Sequence, residues 1–371
     1  MSLEHWVWLG IAIQPGSKIV DDILRVFPDP EEFFLSGDSG IEKIKSIKEA
    51  DALRIRATSL DVAKRAIETA ENYGAKIITK ESGFYPQNLL KIEAAPPVLY
   101  VLGDETCLNT VPAVAVVGTR RLSEYGDKMA QIIAGGLGSA GALVVSGMAL
   151  GIDSAAHKAC LSAGGKTVAV LGNGCNVVYP PENAPLMEII LNNGCVISEY
   201  PPYDGVTKYN FPHRNRIMSG MSLGTLVVEG ARRSGTLITS RLALEQGKSV
   251  YCIPGNIDNP NSFVTNELIK DGGIIVTSPA DIIVDLTASY PELMLEKILK
   301  DEEKVAESNK LANVTEEQRQ ILYFLNKNTP VHIDEICKLT GKSIGAVTQN
   351  LMMLEISKLV ASMPGRYYIL K

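Results

Sequence analysis

The chain contains no apolar run that approaches the roughly 18–20 residues of a membrane-spanning helix, so an integral helical membrane protein is excluded. Its first residues, MSLEHWVWLGIAI, carry neither a basic stretch nor a small-residue cleavage site, and no secretory signal is expected there. The six cysteines (107, 160, 175, 195, 252, 337) are widely spaced and never form C-x-x-C. They read as reduced core thiols of a cytoplasmic protein and argue against a disulfide framework or a zinc site. The four histidines (5, 157, 213, 332) have no helical partner at i+4, so no metal is expected.

Nucleotide-hydrolysing and dinucleotide motifs are also missing. Three G-K-[ST] tripeptides begin at Gly165, Gly247 and Gly341, but the glycine that a P-loop needs five positions earlier is replaced by Cys160, Leu242 and Ile336. The literal G-x-G-x-x-G at 136–141 precedes a strand and so stands in the wrong order. Ser146 lacks the G-x-S-x-G elbow, and His157 in SAAHKA reads as a helix-packing side chain. Neither a cofactor nor catalysis is expected. Asp153 and Glu229 remain carboxylates of interest, more readily helix caps and loop orienters than catalysts.

Positive charge is scarce too. The net charge is −6, and residues 1–112 hold 12 basic against 17 acidic groups. The exception is 208–241, KYNFPHRNRIMSGMSLGTLVVEGARRSGTLITSR, where Lys208, Arg214, Arg216, Arg232, Arg233 and Arg241 face the single acid Glu229. A basic island in an acidic chain marks a localised anion site. Glycines and small hydroxyls among its arginines can add backbone and side-chain donors, so the expected ligand is a polyanion or a phosphorylated compound.

With 46% hydrophobic and 21% charged residues in 371, the chain is an ordinary globular protein of two or three domains. Apolar β-branched runs at 113–117, 143–145, 167–171, 196–198, 225–228, 250–253 and 274–277 alternate with helical stretches at 123–137, 152–163, 182–192 and 236–246. That pattern predicts an α/β fold, an extended Rossmann-like, doubly wound, mostly parallel sheet over 113–285. Ligands of such a sheet bind beyond the carboxyl ends of its strands, which here run into glycine-bearing loops such as GTRR (118–121), SGMALGID (146–153) and VEGARRSGT (228–236). Residues 1–112 predict a small helical domain of SAM or helix–hairpin–helix type, with helices at 18–27, 31–35, 40–56 and 60–73, a short strand at 76–79 and an extended lead-in at 95–103. Residues 286–312 read as a linker. Residues 313–371 predict a winged helix, with a Thr315 cap and three helices followed by two short strands.

Taken in order, VAVVGTRRLSEYG (114–126), VSGMALGIDSAAH (145–157), LGNGCNVVYPPEN (171–183), ISEYPP (197–202), FPHRNRIMSGMS (211–222), VVEGARRSGTLITSRLALEQGKSVYCIPG (227–255) and NELIKDGG (266–273) resemble the DNA-processing protein A (DprA/Smf) family. The resemblance spans about 160 residues in one register. In three places the chain departs from the family pattern: Leu150 stands for a larger polar or basic residue, Gly230 for an alanine, and Val264 for a glycine.

The resemblance implies a single-stranded-DNA-binding protein of natural transformation and recombination. Such a protein protects incoming strands and helps load the recombinase RecA, without nucleotide hydrolysis and as a homodimer through the Rossmann-like domain. Single strands are held by phosphate contacts and base stacking. Gly118, Thr119, Arg120 and Arg121 on the first strand's loop, with Gly147, Lys208, Arg214 and Arg216, are the expected phosphate-binding set, and Asn215 is placed to orient a loop or touch a base edge. Phe211 is the aromatic expected to stack on a base. Arg232, Arg233, Ser234, Gly235 and Thr236 open a helix whose N-terminal N–H groups suit a phosphate. The alternative is a Rossmann-like nucleotide-binding enzyme that hydrolyses a nucleotide N-glycosidic bond, with Gly224, Thr225 and Glu229 in its site.

Overall fold

The structure is a computed structural model that describes residues 2–110, 112–232, 234–287, 314–326, 329–357 and 359–371. Arg233 and residues 288–312 of the expected linker lie outside the described residues. The chain divides into two compact units, 1–298 and 299–371.

The first unit is built on one nine-stranded sheet of order β1-β2-β6-β5-β4-β3-β7-β8-β9. The strands are β1 (Lys76–Thr79), β2 (Val98–Gly103), β3 (Ala113–Val117), β4 (Leu143–Ser146), β5 (Thr167–Leu171), β6 (Gly194–Ser198), β7 (Gly224–Val227), β8 (Ser249–Cys252) and β9 (Ile274–Ile275). β3 to β9 pair in parallel. β1 and β2 extend the sheet antiparallel at one end, so the expected mostly parallel α/β sheet is observed.

The unbroken apolar strands follow from burial on both faces. With the strand period of two, Val114 and Val116 pack with α6 (Glu124–Ser139), α7 (Ile152–Ser162) and α12 (Pro279–Thr287). Ala113, Ala115 and Val117 pack on the opposite side with α9 (Asn210–Met221), α10 (Thr236–Glu245) and α11 (Phe263–Lys270). The chain leaves β3 in one direction, through β4 and β5 to β6, and then returns to place β7 on the other flank of β3. The ends of β3 and β7 therefore form the topological switch point, where an open parallel sheet leaves a crevice.

Five helices precede the sheet: α1 (Leu3–Ala12), α2 (Ile19–Val26), α3 (Pro30–Lys43), α4 (Glu49–Ala57) and α5 (Leu60–Asn72). α1 has no sequence signature because His5, Trp6, Val7, Trp8, Leu9 and Ala12 are all buried, which erases the amphipathic stripe. These helices share a hydrophobic cluster with β2, β5, β6 and α8 (Ala184–Asn193).

The second unit holds α13 (Glu316–Phe324), β10 (Val331–His332), α14 (Ile333–Thr340), α15 (Ile344–Ile356), β11 (Val360–Met363) and β12 (Tyr367–Leu370). Its sheet has the order β10-β12-β11. Thr315 and Gln318 form a capping box at the start of α13. On α15 the exposed side chains include Ile344, Met352, Met353 and Ile356, and Lys342 just before it pairs with Glu317 at 2.8 Å. That helix thus presents an apolar face rather than a cationic one. Among the described residues no helix is long and apolar enough to cross a membrane.

Candidate nucleic-acid interface

The loop after β3 is held rigidly from below. The Thr119 N–H donates to the Glu229 carbonyl at 2.9 Å, and the Ile152 N–H donates to the Thr119 carbonyl at 3.2 Å. Gly151, at φ +84°, lies so close that a Cβ there would sit 2.3 Å from the Thr119 oxygen. Only glycine tolerates both that backbone and that approach. The Glu229 carboxylate, 1% exposed, accepts from the Ser123 N–H at 3.0 Å and from the Ser123 hydroxyl. It therefore staples the Arg120–Arg121 loop to the end of β7, which is the orienting role expected of it. Asp153 accepts from the Ala149 N–H at 3.3 Å. Burial pushes its carboxyl up, against the pull of the Arg214 guanidinium.

Between these loops lies a cleft of about 150 Å³ at the switch point, whose lining includes Gly118, Arg120, Phe211, Arg214, Asn215, Ser234, Gly235 and Thr236. The structure thus brings eight of the fifteen expected site residues into one cavity. Phe211 is half-buried, with its ring 5.7 Å from that of Tyr179 and against the backbone of Gly172. The exposed Arg120 guanidinium stands 5.6 Å from the ring centroid. The N-terminus of α10 faces the same cavity, and the Ser234 and Thr236 hydroxyls are 2.6 Å apart. A guanidinium, an aromatic face and a helix N-terminus can together receive one nucleotide, the base on the ring and the phosphate on the donors.

Two arginines differ from expectation. The segment 210–221, read in sequence as a basic motif with no element assigned, is helix α9. Arg214 shares one stripe with Ile217, Met218 and Met221, at i, i+3, i+4 and i+7, and those three residues pack in the core. Arg214 is accordingly 4% exposed and donates through Nη1 to the Val170 carbonyl. A Cβ on Gly147 would collide with its guanidinium, so Gly147 is the gap through which Arg214 reaches the sheet. Burial lowers its pKa to about 10, which leaves it charged at neutral pH. It supports the cleft floor from beneath, with Asp153 as its electrostatic partner. Arg216 is 7% exposed and pairs with Glu199. Its burial in that ion pair removes it from the phosphate-facing set, because a guanidinium bound to a buried carboxylate is not free for solvent-borne phosphate.

Of the other expected residues that the structure describes, none lines the cavity. Lys208 is exposed, its Nζ 5.2 Å from the Tyr209 ring centroid. The Arg121 and Arg232 side chains are exposed on the rim, and Arg232 lies 5.2 Å from the Phe263 ring centroid. Tyr179 and Phe263, which meet Phe211 and Arg232, had no sequence signature, since each comes from a segment distant in the chain. A hollow of about 730 Å³ lies elsewhere, over α6 and α7, lined by residues such as Leu122, Asp127, Leu150 and Lys158. It is larger than the cleft but offers no aromatic ring and a single cation, so size does not identify the interface. Among the described residues no group of three or more histidines, cysteines or acids could hold a metal ion.

Behind the cleft, His157 is fully buried, with Nδ1 2.6 Å from the Thr167 hydroxyl. That hydroxyl gives its one proton to the Val144 carbonyl at 2.7 Å, so Nδ1 is the donor of this pair. Nε2 is buried without a partner. Burial, aided by the Arg214 charge, lowers the His157 pKa to about 3. The unfolded chain then binds a proton near pH 6.5 that the folded chain refuses, so stability falls as pH drops below about 6.5, by up to roughly 1.4 kcal/mol per pH unit from this group. Denaturant melts between pH 7 and 5 are expected to show a shallower decline for His157→Gln than for the wild type. Equal slopes would contradict the assignment.

Comparison with known proteins shows the family. The family model described as DNA recombination-mediator protein A matches residues 76–287, and the DprA winged helix domain matches residues 305–366. Protein Smf of Escherichia coli K12 is 34% identical over 98% of this chain and 96% of its own. The chain belongs to the DNA recombination-mediator protein A (DprA/Smf) family. The DNA processing protein DprA of Streptococcus pneumoniae is 43% identical over 54% of this chain and 71% of its own. The X-ray structure of DprA from that organism aligns with a TM-score of 0.68 at 33% identity, covering 76% of this chain and 98% of that one. A DprA structure from Helicobacter pylori, described for its single-stranded DNA binding mode, aligns with a TM-score of 0.53 at 28% identity, covering 58% and 97%.

Within this DprA-family fold, Gly230 and Val264 are in direct contact. A Cβ on Gly230 would stand 2.9 Å from the Val264 Cβ, and the Val264 N–H donates to the Gly230 carbonyl at 2.9 Å. The valine fills the room that a side chain at 230 would need. Leu150, the third departure, is 40% exposed and borders the larger hollow rather than the cleft.

Proposed function

We propose that the chain is a single-stranded-DNA-binding protein of natural transformation and recombination, which protects incoming strands and helps load RecA without hydrolysing nucleotide. The observation that carries this reading is the cleft at the β3–β7 switch point, where Arg120, Phe211 and the N-terminus of α10 converge in a family whose Helicobacter pylori member is described as binding single-stranded DNA. The cleft suits a strand whose bases are free to turn onto a ring, whereas a duplex keeps its bases stacked inside. Glu229, the carboxylate that a glycosidic hydrolase would need, is committed to Ser123, which disfavours the enzymatic alternative.

A cytoplasmic homodimer is part of the proposal. β9 ends the sheet with Ile274 and Ile275 38% and 51% exposed, and an apolar edge strand invites pairing with a second copy. The apolar surface of α15 supports a protein partner for the winged helix at least as well as DNA.

A gel-shift comparison of ssDNA with duplex of the same length, without nucleotide, tests the reading. Single strands are expected to bind more tightly, and log K to fall with log salt by about 0.7 per phosphate contacted. Salt-independent binding, or a preference for duplex, would sink it.

A further inference from the structure

We infer that Arg232 and Phe263 form a second base-stacking platform, set beyond the Phe211–Arg120 pair on the path of a bound single strand; this rests on the single-strand reading above. Phe263, the first residue of α11, is 36% exposed, whereas the next residue, Val264, is fully buried. Val264 already closes the core at this point, so the ring is not needed there. Arg232 lies over that ring at 5.2 Å, which repeats the chemistry of Arg120 over Phe211 at 5.6 Å. Among the described residues Arg232 makes no ion pair, and its guanidinium remains available to a phosphate or to a base face.

The two pairs are connected through the loop that bears Arg232. Arg232 stands two residues before Ser234, which lines the cleft. Its loop is tied to the start of α11 by the Gly230 N–H donating to the Asn261 carbonyl at 2.7 Å and by the Val264 N–H donating to Gly230. The Asn261 amide in turn donates to the Arg121 carbonyl at 3.1 Å. The loops that bear Arg121, Arg232 and Phe263 are thereby fixed relative to the cleft, so a strand whose first base sits on Phe211 meets a rigid second ring further along.

The test measures affinities of full-length wild type, Phe263→Leu, Phe263→Tyr and Phe211→Ala for oligo-dT of about 4 and about 12 nucleotides, with melting temperatures alongside. Phe263→Leu keeps apolar bulk and removes only the π-face. It is expected to weaken the longer oligonucleotide about 5- to 100-fold and to leave the shorter within about twofold, while Phe263→Tyr matches wild type. If Phe263→Leu binds the longer strand like wild type while Phe211→Ala has lost affinity, the second platform is overturned and the single-strand reading survives. An equal loss for both lengths with a lowered melting temperature also overturns it, in favour of a packing role. If wild type binds neither oligonucleotide, the single-strand reading fails and takes this inference with it.

Discussion

Replacing Phe211 and Arg120 together by alanine is expected to weaken ssDNA binding by roughly 2–4 kcal/mol, about 30- to 1000-fold, with the folded state retained. The ring supplies the stacking face and the guanidinium the charge, and they touch the same side of the cleft at 5.6 Å. Because they are in contact, the double variant and the sum of the two single variants should differ. Phe211→Ala alone should leave the salt dependence unchanged, since a ring contacts no phosphate. Arg120→Ala alone should lower the slope of log K against log salt by about 0.7, the share of one contact on a single strand. Titrations at several salt concentrations read both numbers. Affinity within threefold of wild type in the double variant would remove the cleft from the interface.

The second large effect is on stability. Arg216→Ala strands Glu199, 7% exposed, with no cation to face. Burial already pushes the Glu199 carboxyl up, and the Arg216 charge is what pulls it back. Breaking such a pair costs about 3–5 kcal/mol, a large part of the roughly 5–15 kcal/mol that holds a domain folded. The sign with pH follows from linkage. Without Arg216 the folded state favours a protonated Glu199, so the deficit should be full at neutral pH and shrink as pH falls toward about 4, where the carboxyl is neutral in both states. Chemical melts at pH 7.5 and 5 check this. Replacing both partners with apolar residues, as Arg216→Met/Glu199→Leu, should recover most of the loss, because no charge is then left buried. A single variant within 1 kcal/mol of wild type at pH 7.5 would show that the pair does not stabilise this fold.

Legibility in the sequence followed the range of the interaction. Strands β3 and β5 stood out because runs of five and four consecutive apolar residues, each ending at a glycine, leave little choice but a strand buried on both faces. α1 did not, because a helix buried all round has no periodicity to read. The basic island was plain as composition, but α9 was not recognised within it, and without the helix there was no way to see that Arg214 lies in register with Ile217, Met218 and Met221. Glu199 and Arg216 are 17 residues apart, on different elements, so their pairing has no local signature. Gly230 and Val264 are far apart in the chain, and only the fold brings them into contact.

From the sequence alone came the α/β class, the family, and the fact that cationic residues gather near the carboxyl ends of β6 and β7. Those are properties of short-range pattern: apolar runs, turn residues, and the order of motifs along the chain. Tertiary structure alone decided which of those cations face water. It turned Arg214 inward beneath the cleft and Arg216 inward onto Glu199, and left Arg120 and Arg232 outward, each over an aromatic ring. The physical reason is that a helix face or loop becomes inside or outside only when other elements pack on it, and β4, β5, β6 and the loop before α11 come from far away in the chain.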